Sequence, residues 1–133
     1  MMPTEPVRIE AVFDKIFDRA MRSQPQIQHI VLGSEQGLVV AYKSATKGPE
    51  ARLAALVPVL ADAGETLFGE VGLTPLGEIL LLGNEGTIYA ARMKSAPVFL
   101  MIAARGQVNV GLLRMLAAEI ESEASDVLRT LLR

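Results

Sequence analysis

The apolar residues near the start of the chain keep one spacing and then change to another. Ile9, Val12, Phe13, Ile16, Phe17 and Ala20 recur at three- and four-residue steps, the spacing of a single helix face. Glu10, Asp14, Lys15, Asp18 and Arg19 take the other side, and Pro25 supplies a stop, so a helix is predicted over about Val7 to Arg22. From Ile27 the period falls to two. Ile27, His29 and Val31 should share one face of a strand, and Gln28, Ile30 and Leu32 the other. The run Ile30-Val31-Leu32 is apolar on both faces, which predicts a central strand covered on both sides. Ser34, Glu35, Gln36 and Gly37 read as a turn, and Leu38 to Tyr42 as the return strand, ended by Lys43.

A second helix is predicted after Pro49, which suits a first helical turn because its missing N–H costs nothing there. Glu50 suits the positive end of the helix dipole. Leu53, Leu56, Leu60, Ala63 and Leu67 form one stripe, yet Ala54, Ala55, Pro58 and Ala61 off that stripe are also apolar or small. No charge occurs between Arg52 and Asp62. A helix apolar nearly all round is buried on more than one side. Pro58 should remove the backbone bond to Ala54 and kink the helix.

Three strands follow, at about Glu78 to Leu82, Thr87 to Met93 and Val98 to Ala103, joined by Gly83-Asn84-Glu85-Gly86 and Lys94-Ser95-Ala96-Pro97. The last helix opens near Gln107 to Val110 and runs to about Leu131. Its broad apolar face holds Leu112, Leu113, Leu116, Ile120, Ala124, Val127, Leu128 and Leu131, and its solvated side Glu119, Glu121, Glu123 and Asp126. The order helix, two strands, helix, three strands, helix predicts an α+β fold: one domain over residues 1–133, with a five-stranded, mainly antiparallel sheet and helices on both faces.

One unit occurs twice. Leu32-Gly33-Ser34-Glu35-Gln36-Gly37 and Leu82-Gly83-Asn84-Glu85-Gly86 each follow an apolar run and lead into another. A phosphate loop needs glycines that open directly onto a helix N-terminus, with a Lys placed on the phosphates. Both copies lead into strands instead. Lys47-Gly48 has the Lys ahead of the Gly and lacks the upstream Gly. The repeats are therefore read as hairpin turns, where Gly supplies a positive φ at no steric cost.

Composition narrows the function classes. The chain has 133 residues, half of them hydrophobic but only 5% aromatic, so its core is aliphatic. Thirteen basic and 15 acidic residues leave a net charge of −2 and form no basic stripe, which argues against nucleic acid as a partner. No Cys is present, which removes disulfides, thiol nucleophiles and Cys-based zinc sites, and fits a cytoplasmic location. The opening residues show no secretory leader. No apolar run approaches the ~20 residues of a membrane span, so no direct membrane insertion is expected. His29, the single His, lies in a strand and reads as a packed or edge residue. No nucleophile elbow marks a hydrolase. Glu35 and Glu85 read as solvated turn residues rather than paired acids, and Met93, Met101 and Met115 as core fillers. No catalytic residue, cofactor or metal is expected.

The ordered set of elements, with HIVLGSEQGLVVAY, ARLAALVPVLADAGETLFGEV, LLLGNEGTIYAARM and VNVGLLRMLAAEI, resembles the roadblock dynein-light-chain family over about Ile9 to Leu131. Pro58 departs from the usual pattern. A longin or profilin-like domain is a neighbouring fold, but the helix ahead of the first strand argues against it. The resemblance implies a homodimer whose sheets join edge to edge through the third strand while the two copies of the second helix pack across the joint. Ala54, Ala55, Pro58, Ala61, Ile79, Leu80 and Leu81 are then expected at the dimer interface. The hydrophobic strand Glu78 to Leu82 agrees, since an exposed apolar edge is an aggregation hazard unless something pairs with it. The resemblance further implies a non-enzymatic regulator of a Ras-like small GTPase, with Glu50, Arg52, Asp62 and Glu65 as rim contacts. The alternative is an adaptor dimer without effect on GTP hydrolysis.

Overall fold

The two helices with a single apolar stripe close on the same face of one sheet, and the helix that is apolar nearly all round lies alone on the other. The computed structural model describes residues 5–131, with side chains described over residues 10–129. The elements are α1 (Glu5–Ser23), β1 (Ile27–Ser34), β2 (Val39–Ser44), α2 (Glu50–Glu70), β3 (Ile79–Leu82), β4 (Gly86–Arg92), β5 (Val98–Arg105) and α3 (Val110–Leu131). The sheet order is β2-β1-β5-β4-β3, and every neighbouring pair is antiparallel. β2 and β3 are the edges.

α1 and α3 build the larger core. Phe13, Ile16 and Phe17 of α1, with the two rings stacked 5.8 Å apart, meet Ile30, Leu32, Leu100 and Ile102 of the sheet and Leu113, Leu116 and Ile120 of α3. Ion pairs Arg19–Glu123 and Lys43–Asp14 tie this layer together at its surface. Asn109 caps α3 by accepting the Leu112 N–H at 3.2 Å. The second core is smaller: Ala54 and Val57 of α2 on Val31, Ala90, Phe99 and Met101.

The expected fold and hairpins are present. The first repeat closes with Gly37 N–H on the Ser34 carbonyl at 2.9 Å, the second with Gly83 N–H on the Gly86 carbonyl at 2.8 Å. Gly37 sits at φ +88°, and a methyl group there would come 3.1 Å from the Ala55 Cα. α2 continues through Pro58 as one helix, and the Thr74–Pro75 peptide is cis.

Several side chains differ from expectation. Ile27 packs with Ile30 rather than with Val31, because the β1–β5 register shifts between Ile27 and His29 and turns the strand's first residue over. Met115 is exposed, since the buried stripe of α3 runs through Leu113, Leu116 and Ile120 and leaves it on the outer side. Glu121 is not merely solvated: its Oε2 accepts the N–H groups of Lys94 and Ser95 at 2.8 and 3.1 Å, clasping the β4–β5 turn to α3. The side chains of Ile9 and Leu131, expected in the apolar stripes, lie outside the described residues.

Candidate interaction surface

α2 has two apolar faces, and residue size decides which one lies on the sheet. A methyl on Gly33 would approach the Ala54 Cβ to 3.2 Å, so helix and strand meet at a place where neither side carries bulk. Small-on-small contact sets the depth of α2, and Ala54, Val57 and Ala61 point down. The larger residues point away: Leu56 is 55% exposed and Leu67 68%, with Val59 between them also exposed. Of the leucine stripe, Leu56 and Leu67 are therefore unpartnered within the chain, Leu60 is half-buried, and Leu53 packs on the second core.

This placement redistributes the expected interface residues. Ala54 is 2% exposed and belongs to the chain's own core. Pro58, Ala61, Ile79 and Leu80 are half-buried, and Ala55 is exposed beside Gly37. Leu81 is 43% exposed on the outer strand β3, whose far edge has no neighbour among the described residues.

Two of the expected rim charges are engaged within the chain. Glu50 Oε2 accepts the Ser44 hydroxyl at 3.0 Å and the Gly48 N–H at 3.1 Å. Burial pushes its carboxyl up, but hydrogen bonds from its own backbone, Ser44 and Gly48 outweigh this and hold it below the usual carboxylate range. Because the Ser44 hydroxyl donates to Glu50, His29 Nδ1 donates to Ser44 Oγ at 2.9 Å. A methyl on Gly48 would collide with the His29 ring. His29 thus belongs to a chain of hydrogen bonds that fixes the start of α2. Glu65 accepts the Leu76 N–H at 2.9 Å and anchors the loop after α2. Arg52 and Asp62 are exposed, and their side chains make no ion pair among the described residues.

Two concavities flank α2. One, of about 250 Å³, lies between its later turns and the start of β3, with Asp62, Glu65 and Glu35 around it. Arg92 in its wall pairs with Glu35 and stacks over Phe99, 4.7 Å from the ring centre. Glu35 is therefore an ion-pair partner of Arg92, and Glu85, in the β3–β4 turn, borders the other concavity. That second groove, of about 540 Å³, lies where α2 leaves the sheet bare. Leu81, Ile88 and Ala103 line it, with His29 and Arg105 toward β1 and β5. Among the described residues no group of three or more His, Cys, Asp or Glu side chains could hold a metal ion.

The start of β3 is fastened to the opposite helix layer. Glu78 accepts the Tyr89 hydroxyl at 2.9 Å and pairs with Arg114 of α3. The Arg114 hydrogen bond, opposed by burial and aided by Tyr89, holds the Glu78 carboxyl below its usual range. Burial and the Glu78 carboxylate push the Tyr89 phenol up to about 12. Tyr89 must stay protonated in the fold, while an unfolded tyrosine loses its proton near 10. Its contribution to stability is full below pH 10 and falls as pH rises toward 12. Spectrophotometric titration of a Tyr42→Phe variant, which leaves Tyr89 alone, should give a midpoint about two units above a free tyrosine. A midpoint near 10 would contradict this clasp.

The sheet order, three helices and open β3 edge define a roadblock-type α/β sandwich. Residues 13–104 match the Roadblock/LC7 domain family, and the chain belongs to it. Among solved structures it is similar to an MglB described with a tetrameric arrangement, at TM-score 0.80 and 17% identity, covering 93% of each chain. It is also similar to MglB of Myxococcus xanthus, at TM-score 0.74 and 19% identity, covering 100% of this chain and 96% of that one. A Roadblock/LC7 domain from Streptomyces avermitilis aligns at TM-score 0.75 and 16% identity, over 87% of this chain and 97% of that one. No curated protein matches the chain. No helix among the described residues is long and apolar enough to cross a membrane.

Proposed function

We propose that this protein is a non-enzymatic, cytoplasmic homodimer that binds and regulates a Ras-like small GTPase. The observation that carries the reading is that Leu56 and Leu67 on the outer face of α2 and the open edge of β3 are both unpartnered among the described residues. An all-antiparallel sheet with an apolar edge strand is completed by a second copy of that strand, which supplies the missing backbone partners and covers the side chains. A two-fold joint at β3 sets the two α2 helices side by side over the enlarged sheet. Leu56, Leu60 and Leu67 then face a partner instead of water. Burying one such leucine contributes roughly 1.5–3 kcal/mol.

The GTPase rests on family resemblance, which implies partners of this kind for prokaryotic roadblock proteins. Two α2 helices offer a composite surface that one chain lacks. Arg52 and Asp62, exposed and unengaged, are the charges left to steer encounter; Glu50 and Glu65 act first within their own chain. With no catalytic group of its own to offer, the protein would accelerate GTP hydrolysis by ordering the GTPase's residues.

The test is a pulldown of Ras-like GTPases from the same genome, loaded with GDP or with a non-hydrolysable GTP analogue, followed by single-turnover hydrolysis. At least one nucleotide state should bind. Binding without a rate change would favour the adaptor reading, and absence of binding by an intact dimer would remove the GTPase from the account.

A further inference from the structure

The sheet has two outer strands, and the homodimer reading uses only β3. β2 lies at the opposite end of the strand order, and its outer edge has no neighbour among the described residues. Ala45 N–H donates to the Gln28 carbonyl at 2.8 Å, and the direction of backbone groups alternates along an antiparallel strand. Lys43 and Ala41, opposite Ile30 and Leu32, therefore turn their backbone groups toward β1, while Tyr42 and Ser44 turn theirs outward. Val40 is skipped in the pairing, which passes from Ala41 to Val39. Such a bulge bends the strand beyond it, so the flat part of the edge is Ala41 to Ser44.

The two sides of this edge differ. Tyr42 pairs with Val31, which packs beneath α2, so its ring stands on that side and is exposed. Ala41 and Lys43 pair with Leu32 and Ile30 of the larger core and so lie on the α1 side. A groove of about 510 Å³ runs there between β2 and α1, bordered by Glu10, Ala11, Phe13, Asp14, Ala41 and Tyr42. Glu10 is exposed and makes no ion pair among the described residues. Charged side chains commonly guard a free edge. Here Lys43, the one charge on β2, is drawn aside to Asp14 at 2.7 Å, and Asp14 remains 62% exposed.

We propose that Ala41 to Ser44 is a docking edge for an extended segment of another protein, one that carries a lysine or arginine on the α1 side beside Glu10 and Asp14 and an apolar residue on the other side against Tyr42. The outward backbone groups of Tyr42 and Ser44 supply the hydrogen bonds, and alternate side chains of the segment supply selectivity, as in other cases of strand addition. Charge decides against a second copy of this chain as the occupant. Antiparallel pairing of β2 with β2 about a two-fold would bring Glu10 and Asp14 of both copies to the same side of the joint, and like charges across an interface suppress pairing. Because β2 and β3 are opposite ends of the sheet, the segment leaves the β3 edge free. One segment binds per chain, whatever the outcome for the homodimer and the GTPase.

Two end-capped heptapeptides test this on the full chain, one alternating valine with lysine and the other alternating valine with glutamate. Followed by amide NMR, the lysine peptide should bind saturably, one per chain, with its largest shifts at Tyr42 and Ser44. It should bind roughly tenfold more tightly than the glutamate peptide, and Glu10→Lys, at an exposed position, should cut that preference to about threefold or less. Tyr42→Pro removes an outward N–H and no bond to β1, a place where an edge strand tolerates proline, and should abolish binding. A lysine peptide N-methylated at its valines, the residues whose N–H groups would face β2, should fail in the same way on the unaltered protein. Equal affinity for the two peptides, no saturable shift up to millimolar peptide, or largest shifts away from Tyr42 and Ser44 would overturn the proposal. So would a wild-type mass above that of a dimer which Tyr42→Pro lowers, since the edge would then hold a second copy.

Discussion

Leu81→Asp is expected to turn the proposed homodimer into a folded monomer. Leu81 lies on the outer strand β3 opposite Ile88, is 43% exposed in the single chain, and forms part of the bare groove. An aspartate there can stay hydrated in an isolated subunit, so the fold should tolerate it. In the dimer the same carboxylate would be enclosed beside its two-fold mate. An uncompensated buried charge costs on the order of 3–5 kcal/mol, or a loss of affinity of roughly 10²- to 10⁴-fold. Light scattering should give about twice the 14.3 kDa chain mass for the wild type and a single chain mass for the variant, with unchanged helix content by circular dichroism. A Leu81→Asp protein that stays dimeric would move the joint away from β3.

Removal of α3 is expected to abolish folding, although α3 lies outside the stretch that matches the Roadblock/LC7 family. Leu113, Leu116, Ile120 and Leu128 are buried on α3 and cover Ile30, Leu32, Leu100 and Ile102 of the central strands. Four large aliphatic side chains lost from the core remove on the order of 10 kcal/mol. That is comparable with the whole net stability of a domain, about 5–15 kcal/mol. A chain ended after Gly106 should show no cooperative thermal transition and should aggregate. A cooperative melt from that chain would mean that α1 and the sheet suffice.

The contrast between α2 and the other helices explains what could be read from residues alone. α1 and α3 each have one apolar stripe and one charged side, so periodicity settles which face turns inward. The hairpins were legible for a similar reason, since glycines flanking acidic turns between apolar runs leave few alternatives. α2 is apolar on two faces, and periodicity cannot choose between them. The choice is made by volume: Ala54 fits over Gly33 where a leucine would not. The usable signal was the coincidence of small residues on both partners, Gly33 and Gly37 in the turn with Ala54 and Ala55 in the helix. Because that signal is non-local, Ala54 was expected outward and is found inward.

The engaged carboxylates were hidden for a different reason. Glu50, Glu65 and Glu121 read as rim or solvent charges in sequence, yet each accepts a backbone N–H from a loop. For Glu50 the acceptor and donor are two residues apart, close enough that the Gly48-Pro49-Glu50 string could have suggested it. For Glu65 and Glu121 the donors, Leu76 and Lys94, are supplied by the tertiary fold. The position of β3 at a sheet edge came from family topology, because four apolar residues in a row look the same at an edge and at the centre. The edge is observed.

The most direct measurement is calorimetric titration of a Ras-like GTPase from the same genome, loaded with a non-hydrolysable GTP analogue, into the wild-type protein and into Leu81→Asp. Saturable binding to the wild type and none to the folded monomeric variant would place the recognition surface on the paired α2 helices, as predicted. Equal binding to both proteins, or none to a wild type shown to be dimeric, would contradict the account.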